Sequence, residues 1–151
     1  SIDALYQRLT EERNIALAAK AITLRWRESG MLVNGDGELL AQALGNLLDN
    51  AIDFTPQGGE IALAAEKRNE EVQLSVIDNG CGIPKENLKK CFNPLFTTKK
   101  THANWGIGLS YVYQIVKYHL GFVFADSKVG EYTQFQILLP SIKNGTTSMW
   151  E

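Results

Sequence analysis

The run Asp78-Asn79-Gly80-Cys81-Gly82-Ile83-Pro84 sets a carboxylate, at the end of a hydrophobic stretch, beside glycines at alternate positions. A carboxylate drawn out of water at a strand end requires hydrogen-bond donors. The exocyclic amine of a purine is one such donor, and glycines let a flat ring or a phosphate approach the main chain closely. The same letters also suit a tight turn closed by an Asx hydrogen bond. Asn46, Asn50 and Asp53 recur at spacings of four and three among Leu39, Leu40, Leu44, Leu47, Leu48 and Ile52. On a helix these polar positions share one face, so two amides and a carboxylate would point into a single space. A hard oxygen ligand there suits Mg²⁺, which takes one or two protein ligands and keeps the rest of its shell for water and phosphate oxygens. A solvent-facing stripe is the alternative. Gly106-Ile107-Gly108-Leu109 opens another helical run, where unpaired N–H groups and the helix dipole favour an anion such as phosphate. Just before it, Thr97, Thr98, Lys99, Lys100, Thr101 and His102 form a polar, cationic stretch. It suits either a mobile lid over a nucleotide or a solvated loop. No G-x-x-x-x-G-K-[ST] loop or protein-kinase signature is present, so a bound nucleotide would be held by another architecture.

The elements that must position these residues follow from periodicity and punctuation. Residues 1–19 have helical composition with Ile2, Leu5 and Leu9 on one stripe, but no obvious partner helix follows, which suggests the end of a neighbouring domain. Ala21 to Trp26 and Met31 to Val33 read as short strands around a Glu28-Ser29-Gly30 turn. Asp36 is a plausible N-cap for a long, deeply buried helix through Phe54, ended by Pro56 and Gly58-Gly59. Ile61 to Glu66 and Val72 to Ile77 form an antiparallel hairpin around a charged Lys67-to-Glu71 turn. A short helix is expected after Pro84, a second long helix from about Gly108 to His119, and strands at Phe122 to Ala125 and Gln134 to Leu138. Strands and helices segregate without repeated βαβ crossovers. The fold class is therefore α+β, an α/β sandwich with helices on one face of a mixed, mostly antiparallel sheet.

Bulk properties narrow the function classes. At 151 residues and 44% hydrophobic content, the chain suits one domain with a sizeable core. A formal charge of -2 and the absence of basic runs give no electrostatic reason to expect nucleic acid or an anionic membrane surface. No apolar stretch approaches the roughly 20 residues needed to span a bilayer, so this segment is expected not to be membrane-embedded. Cys81 and Cys91, with His102 and His119, make neither a disulfide framework nor a zinc spacing, and a reducing, cytoplasmic setting is the default.

Taken in order, Asn46-x-x-x-Asn50, Asp78-x-Gly80-x-Gly82, Phe92-x-x-x-Phe96 and Gly106-x-Gly108-Leu109 resemble the boxes of the ATP-binding catalytic domain of sensor histidine kinases. That family shares a superfamily with the ATP-hydrolysing component of DNA gyrase, the large ATP-dependent heat-shock chaperone and the mismatch-repair protein MutL. The resemblance covers most of residues 36–140 and implies the superfamily's sandwich fold with ATP and Mg²⁺ as ligands. By position, it implies that Asn50 coordinates Mg²⁺, Asn46 supports the phosphate side and Asp78 accepts the adenine amine. Gly80, Gly82 and Ile83 would line the adenine pocket, and Phe92 and Phe96 would anchor the base of a lid that includes Thr98 and Lys99. Gly106, Ile107, Gly108 and Leu109 would meet the phosphates, with Thr133, in Gly130-Glu131-Tyr132-Thr133-Gln134-Phe135, near the adenine.

The resemblance also implies partition and partners. Residues 1–19 would end a dimerisation and phosphoacceptor region, 20–140 form the catalytic domain and 141–151 a tail. The partners would be the histidine-containing dimerisation domain of the same kinase and a response regulator, in a homodimer whose sensor is membrane-bound. Departures from the family pattern are Asp53, where many members carry a basic residue, and Tyr132, where a second glycine is common. Neither His102 nor His119 has a phosphoacceptor context, which places the substrate histidine on another segment. Hydrolytic relatives use a Glu four residues before the Mg²⁺-binding Asn, and here that position is Asn46. A nucleotide-binding but catalytically weak signalling module and an anti-sigma-factor serine kinase are the other readings.

Overall fold

The computed structural model describes residues 1–80 and 105–142. The Phe92-x-x-x-Phe96 box, the Thr- and Lys-rich stretch and the short helix expected after Pro84 lie outside the described residues. The elements are α1 (Ile2–Glu12), α2 (Asn14–Ala19), β1 (Thr23–Arg25), α3 (Gly37–Phe54), β2 (Glu60–Arg68), β3 (Glu71–Asp78), α4 (Trp105–Tyr118), β4 (Phe122–Lys128) and β5 (Tyr132–Pro140). The strands form one five-stranded sheet in the order β1-β2-β3-β5-β4. β1 and β2 are parallel and the remaining pairs antiparallel, as the sequence predicts for a mixed, mostly antiparallel sheet.

Alternation along the strands decides which face meets the helices. On β5, Thr133, Phe135, Ile137 and Leu139 are buried, and they are matched on β3 by Asp78, Val76, Leu74 and Val72. Against this face lie Leu40, Leu44, Leu47, Leu48 and Ala51 of α3, with Leu109, Val112 and Val116 of α4. Asp36 caps α3 as expected, its Oδ1 accepting from the N–H groups of Glu38 at 2.9 Å and Leu39 at 3.1 Å.

Several boundaries differ from the sequence reading. The β2–β3 hairpin closes at Arg68↔Glu71 through Asn69-Glu70, so Lys67 and Arg68 belong to the ladder. Asn69 accepts the left-handed backbone (φ 57°) that so short a loop requires. Met31 to Val33 is not a strand; only Val33 forms a bridge, to Ser141. The carbonyls of Met31 and Leu32 are instead taken by the N–H groups of Ile2 and Ile142.

The first helix finds its partner in α3 and the sheet. Ile2, Tyr6 and Leu9, each 1% exposed, join the same core, while Leu5 is half-buried. The Tyr6 hydroxyl donates to the Ala64 carbonyl of β2 at 2.6 Å, and Trp26 meets the Tyr6 ring edge-on at 5.9 Å. The Asp3 carboxylate accepts from the N–H groups of Ser29 at 2.8 Å and Gly30 at 2.9 Å, which hold its carboxyl below the usual range. Removing the hydroxyl with Tyr6→Phe leaves the Ala64 carbonyl without that donor and is expected to cost about 1–2 kcal/mol. Urea denaturation checks this: α1 belongs to the cooperative unit if the variant still unfolds in one transition at lower urea, and does not if α1 melts separately at unchanged midpoint.

Candidate nucleotide site

The candidate site grows from the end of β3. Strand alternation puts Asp78 on the core face, opposite Ile61 of β2 and Thr133 of β5, and leaves it 4% exposed. Its Oδ1 accepts from the Gly80 N–H at 2.8 Å, and the backbone of Thr133 donates to the same carboxylate. Burial outweighs these donors and pushes the carboxyl up to about 6. Among the described residues two backbone N–H groups therefore serve the carboxylate, and they do not offset the loss of water around its charge.

Gly80 is required by close approach. A Cβ there would stand 2.6 Å from the Phe54 carbonyl oxygen and 2.8 Å from Asp78 Oδ1, so the turn is pressed against the end of α3. Asn79 fastens the turn to the start of β2, its Oδ1 accepting from the Glu60 N–H at 3.0 Å and its own N–H donating to the Glu60 carbonyl at 3.3 Å. Thr55, the C-cap of α3, is fully buried, and its Oγ1 has no hydrogen-bond partner among the described residues.

The polar stripe of α3 spans different environments. Asn50 is 8% exposed, Asn46 is half-buried in a cleft shared with α1 and α4, and Asp53 is exposed on the last turn. Lys20 caps that turn, its Nζ donating to the carbonyls of Ile52 at 2.7 Å and Asp53 at 3.2 Å. On the other side of Asp78, Thr133 is buried with its Oγ1 3.1 Å from Ser127 Oγ. Tyr132 directs its hydroxyl to Asp126 at 3.0 Å, and Gly130 (φ 80°) supplies the left-handed position of the β4–β5 turn.

The described part of α4 runs from Trp105, three residues before the expected start, and so includes Gly106, Ile107 and Gly108. Leu109 is fully buried in the core. Gly82, Ile83, Phe92, Phe96, Thr98 and Lys99 lie outside the described residues. His119 is 9% exposed; its Nδ1–H donates to the Ile115 carbonyl at 2.8 Å and its Nε2 accepts from the Asp36 N–H at 2.9 Å. It thereby ties the end of α4 to the start of α3. Sequence reasoning overlooked Lys20, Thr55 and this role of His119, whose partners are distant in the chain. Asn79 carried a signal, since it sits inside the Asp-x-Gly-x-Gly run.

The family described as "Histidine kinase-, DNA gyrase B-, and HSP90-like ATPase" matches residues 35–143. The chain belongs to this family. Its relatives include the sensor protein CreC of Escherichia coli K12, 42% identical over 118 residues that cover 77% of this chain and 25% of CreC. The catalytic domain of histidine kinase ThkA superposes with a TM-score of 0.82 at 27% identity, over 91% of each chain. Full-length ShkA, solved with AMPPNP, has a TM-score of 0.85 at 23% identity, over 97% of this chain and 31% of ShkA, a likeness of fold. The chain thus spans about a quarter of the length of CreC.

Because folding raises the Asp78 carboxyl from 3.8 to about 6, it favours the protonated form. The resulting stability is fully present below the unfolded value and is lost as pH rises through about 6. Nucleotide-free Asp78→Asn is therefore expected to melt above wild type at about pH 7.5, with the gap closing toward about pH 4. Thermal denaturation across pH checks this; a gap that widens on acidification would show the carboxylate to be stabilised by its surroundings.

Proposed function

We propose that the chain is the ATP-binding catalytic domain of a two-component sensor histidine kinase, which transfers the ATP γ-phosphate to a histidine on a separate helical domain for relay to a response regulator. The observation that carries this reading is the Asp78 carboxylate, set between the Gly80 turn and Thr133, whose burial outweighs its backbone donors among the described residues. Such a group fits the exocyclic amine of adenine, which supplies a further donor. In this reading Asp78 accepts from adenine, Gly80, Gly82 and Ile83 flank the ring, and Thr133 completes that wall. Asn50 offers an amide oxygen to Mg²⁺, and Asn46, Gly106, Ile107, Gly108 and Leu109 form the phosphate side. Phe92, Phe96, Thr98 and Lys99 belong to the lid.

ATP supplies the phosphoryl group and Mg²⁺ the neutralising charge when bound. The protein contributes position and electrostatics, which is most of what phosphoryl transfer needs. The amide at Asn46, where hydrolytic relatives carry an activating carboxylate, suits transfer to a protein side chain over transfer to water. Residues 20–140 constitute the catalytic domain, residues 1–19 its junction to the phosphoacceptor helices and residues 141–151 a tail. The full-length protein is a homodimer with this domain in the cytoplasm.

Calorimetric titration of Mg²⁺-AMPPNP is expected to show binding to wild type and at least about a tenfold loss in Asp78→Asn, because the substituted amide offers a donor where the adenine amine needs an acceptor. Binding that survives the substitution places adenine elsewhere. With ATP and an added phosphoacceptor domain, the product is expected to carry acid-labile, alkali-stable phosphate. Acid-stable phosphate identifies a serine kinase, and no transfer identifies a nucleotide-binding module.

A further inference from the structure

We infer that Arg13 is a positioning residue for the turn of α3 that carries Asn46 and Asn50, and that through it the lie of the N-terminal helix is coupled to the Mg²⁺ and phosphate end of the site. The inference rests on the reading of Asn50 as a Mg²⁺ ligand. Arg13 stands at the joint between α1 and α2 and is itself outside helical geometry (φ -109°, ψ 13°). Its side chain is only 17% exposed and faces α3 as a fork, with Nε 2.8 Å from Asp49 Oδ1 and Nη2 3.4 Å from Asp49 Oδ2. Nη1 donates to the Leu9 carbonyl at 3.5 Å and pairs with Glu12 at 3.5 Å, which fixes the guanidinium to α1 as well.

Gly45 makes room for this arrangement. A Cβ at Gly45 would lie 2.5 Å from Arg13 Nη2, so the guanidinium rests against bare helix backbone. A glycine inside a helix is unfavourable relative to alanine, and this contact gives a physical reason for one in the middle of a buried Leu- and Ala-rich helix. Gly45 and Asp49 immediately precede Asn46 and Asn50 and stand one turn apart, so Arg13 grips α3 across the turn that presents both amides. Asn46 itself lines the same cleft, of about 330 Å³, with Arg8, Arg13 and Tyr111.

Arg8 extends the grip, bonding Glu38 at 2.9 and 3.2 Å and Glu12 at 3.3 Å, so that charges alternate from Glu38 through Arg8, Glu12 and Arg13 to Asp49. The Arg8–Glu38 pair is exposed, 42% and 73%, and is screened by solvent. Arg13 is the shielded member. A rotation or withdrawal of α1 would therefore act on the Asn46–Asn50 turn first.

The test uses the chain as it stands, titrated with Mg²⁺-AMPPNP by calorimetry and with adenosine by NMR shift, the second probe reporting on the Asp78 end alone. Arg13→Met is expected to weaken Mg²⁺-AMPPNP about tenfold, the range seen when a group orienting a metal ligand is removed, and to leave adenosine affinity unchanged. Gly45→Ala, which displaces the guanidinium without removing charge, is expected to give the same selective loss and keeps the test decisive if Arg13→Met does not fold. Exchanging the pair, Arg13→Asp with Asp49→Arg, is expected to restore part of it. Equal weakening of both probes would show general loosening and overturn the inference, as would unchanged Mg²⁺-AMPPNP affinity in both variants. Asn50→Ala run in parallel separates the two levels. If Asn50→Ala loses Mg²⁺-dependent affinity and Arg13→Met does not, the inference alone falls; if Asn50→Ala changes nothing, the site reading falls and takes the inference with it.

Discussion

Burying one carboxylate at the end of the middle strand is the constraint around which this domain is arranged. Asp78 is 4% exposed, and its carboxyl is pushed up to about 6 because its backbone donors do not replace the water it has lost. Its immediate neighbours are fitted to hold it there. β3 is flanked on both sides, Gly80 lets the following turn press on the end of α3, and Asn79 pins that turn to β2. Such a group is a poor source of stability without a ligand and a strong source of selectivity for a donor that fits, a common tension at binding sites.

α3 carries the opposite burden. It is the most deeply buried of the described helices, meeting β3 and α4 through its leucines and alanines, yet it also holds the polar Asn46 and Asn50. A helix packed this tightly has little freedom to adjust its side chains independently of its axis. What fixes its axis therefore bears on the amides: Asp36 and His119 at the start, Lys20 at the last turn and Arg13 across the middle. These ties come from four different parts of the chain. They connect the candidate site to α1, to the β1 approach and to the end of α4 without any of those elements needing to touch a nucleotide.

The main features of the fold are legible in the sequence because alternation and helical periodicity report burial directly. The long α3, its Asp36 cap, the hairpin and the closing strands follow from such patterns, as does the segregation that makes the sheet mostly antiparallel. Met31 to Val33 misleads because its apolar letters serve the N-terminal helix and the chain end instead of a strand ladder. Residues 1–19 show a helical stripe, but periodicity names a face and not what covers it; Tyr6 in particular is tied by a hydroxyl to Ala64, 58 residues away.

By itself the sequence determined the family, because the Asn, Asp-Gly-Gly and Gly-x-Gly boxes occur in order. It also determined which strand end bears the carboxylate and which helix the amides. Only the tertiary structure decided how buried Asp78 is, that Thr133 stands opposite it, and that Arg13, Lys20 and His119 tie α3 in place. Arg13 reaches Asp49 across 36 residues and His119 reaches Asp36 across 83. Pairings at that separation leave no periodic trace, since they depend on how finished elements pack and not on the local run of side chains.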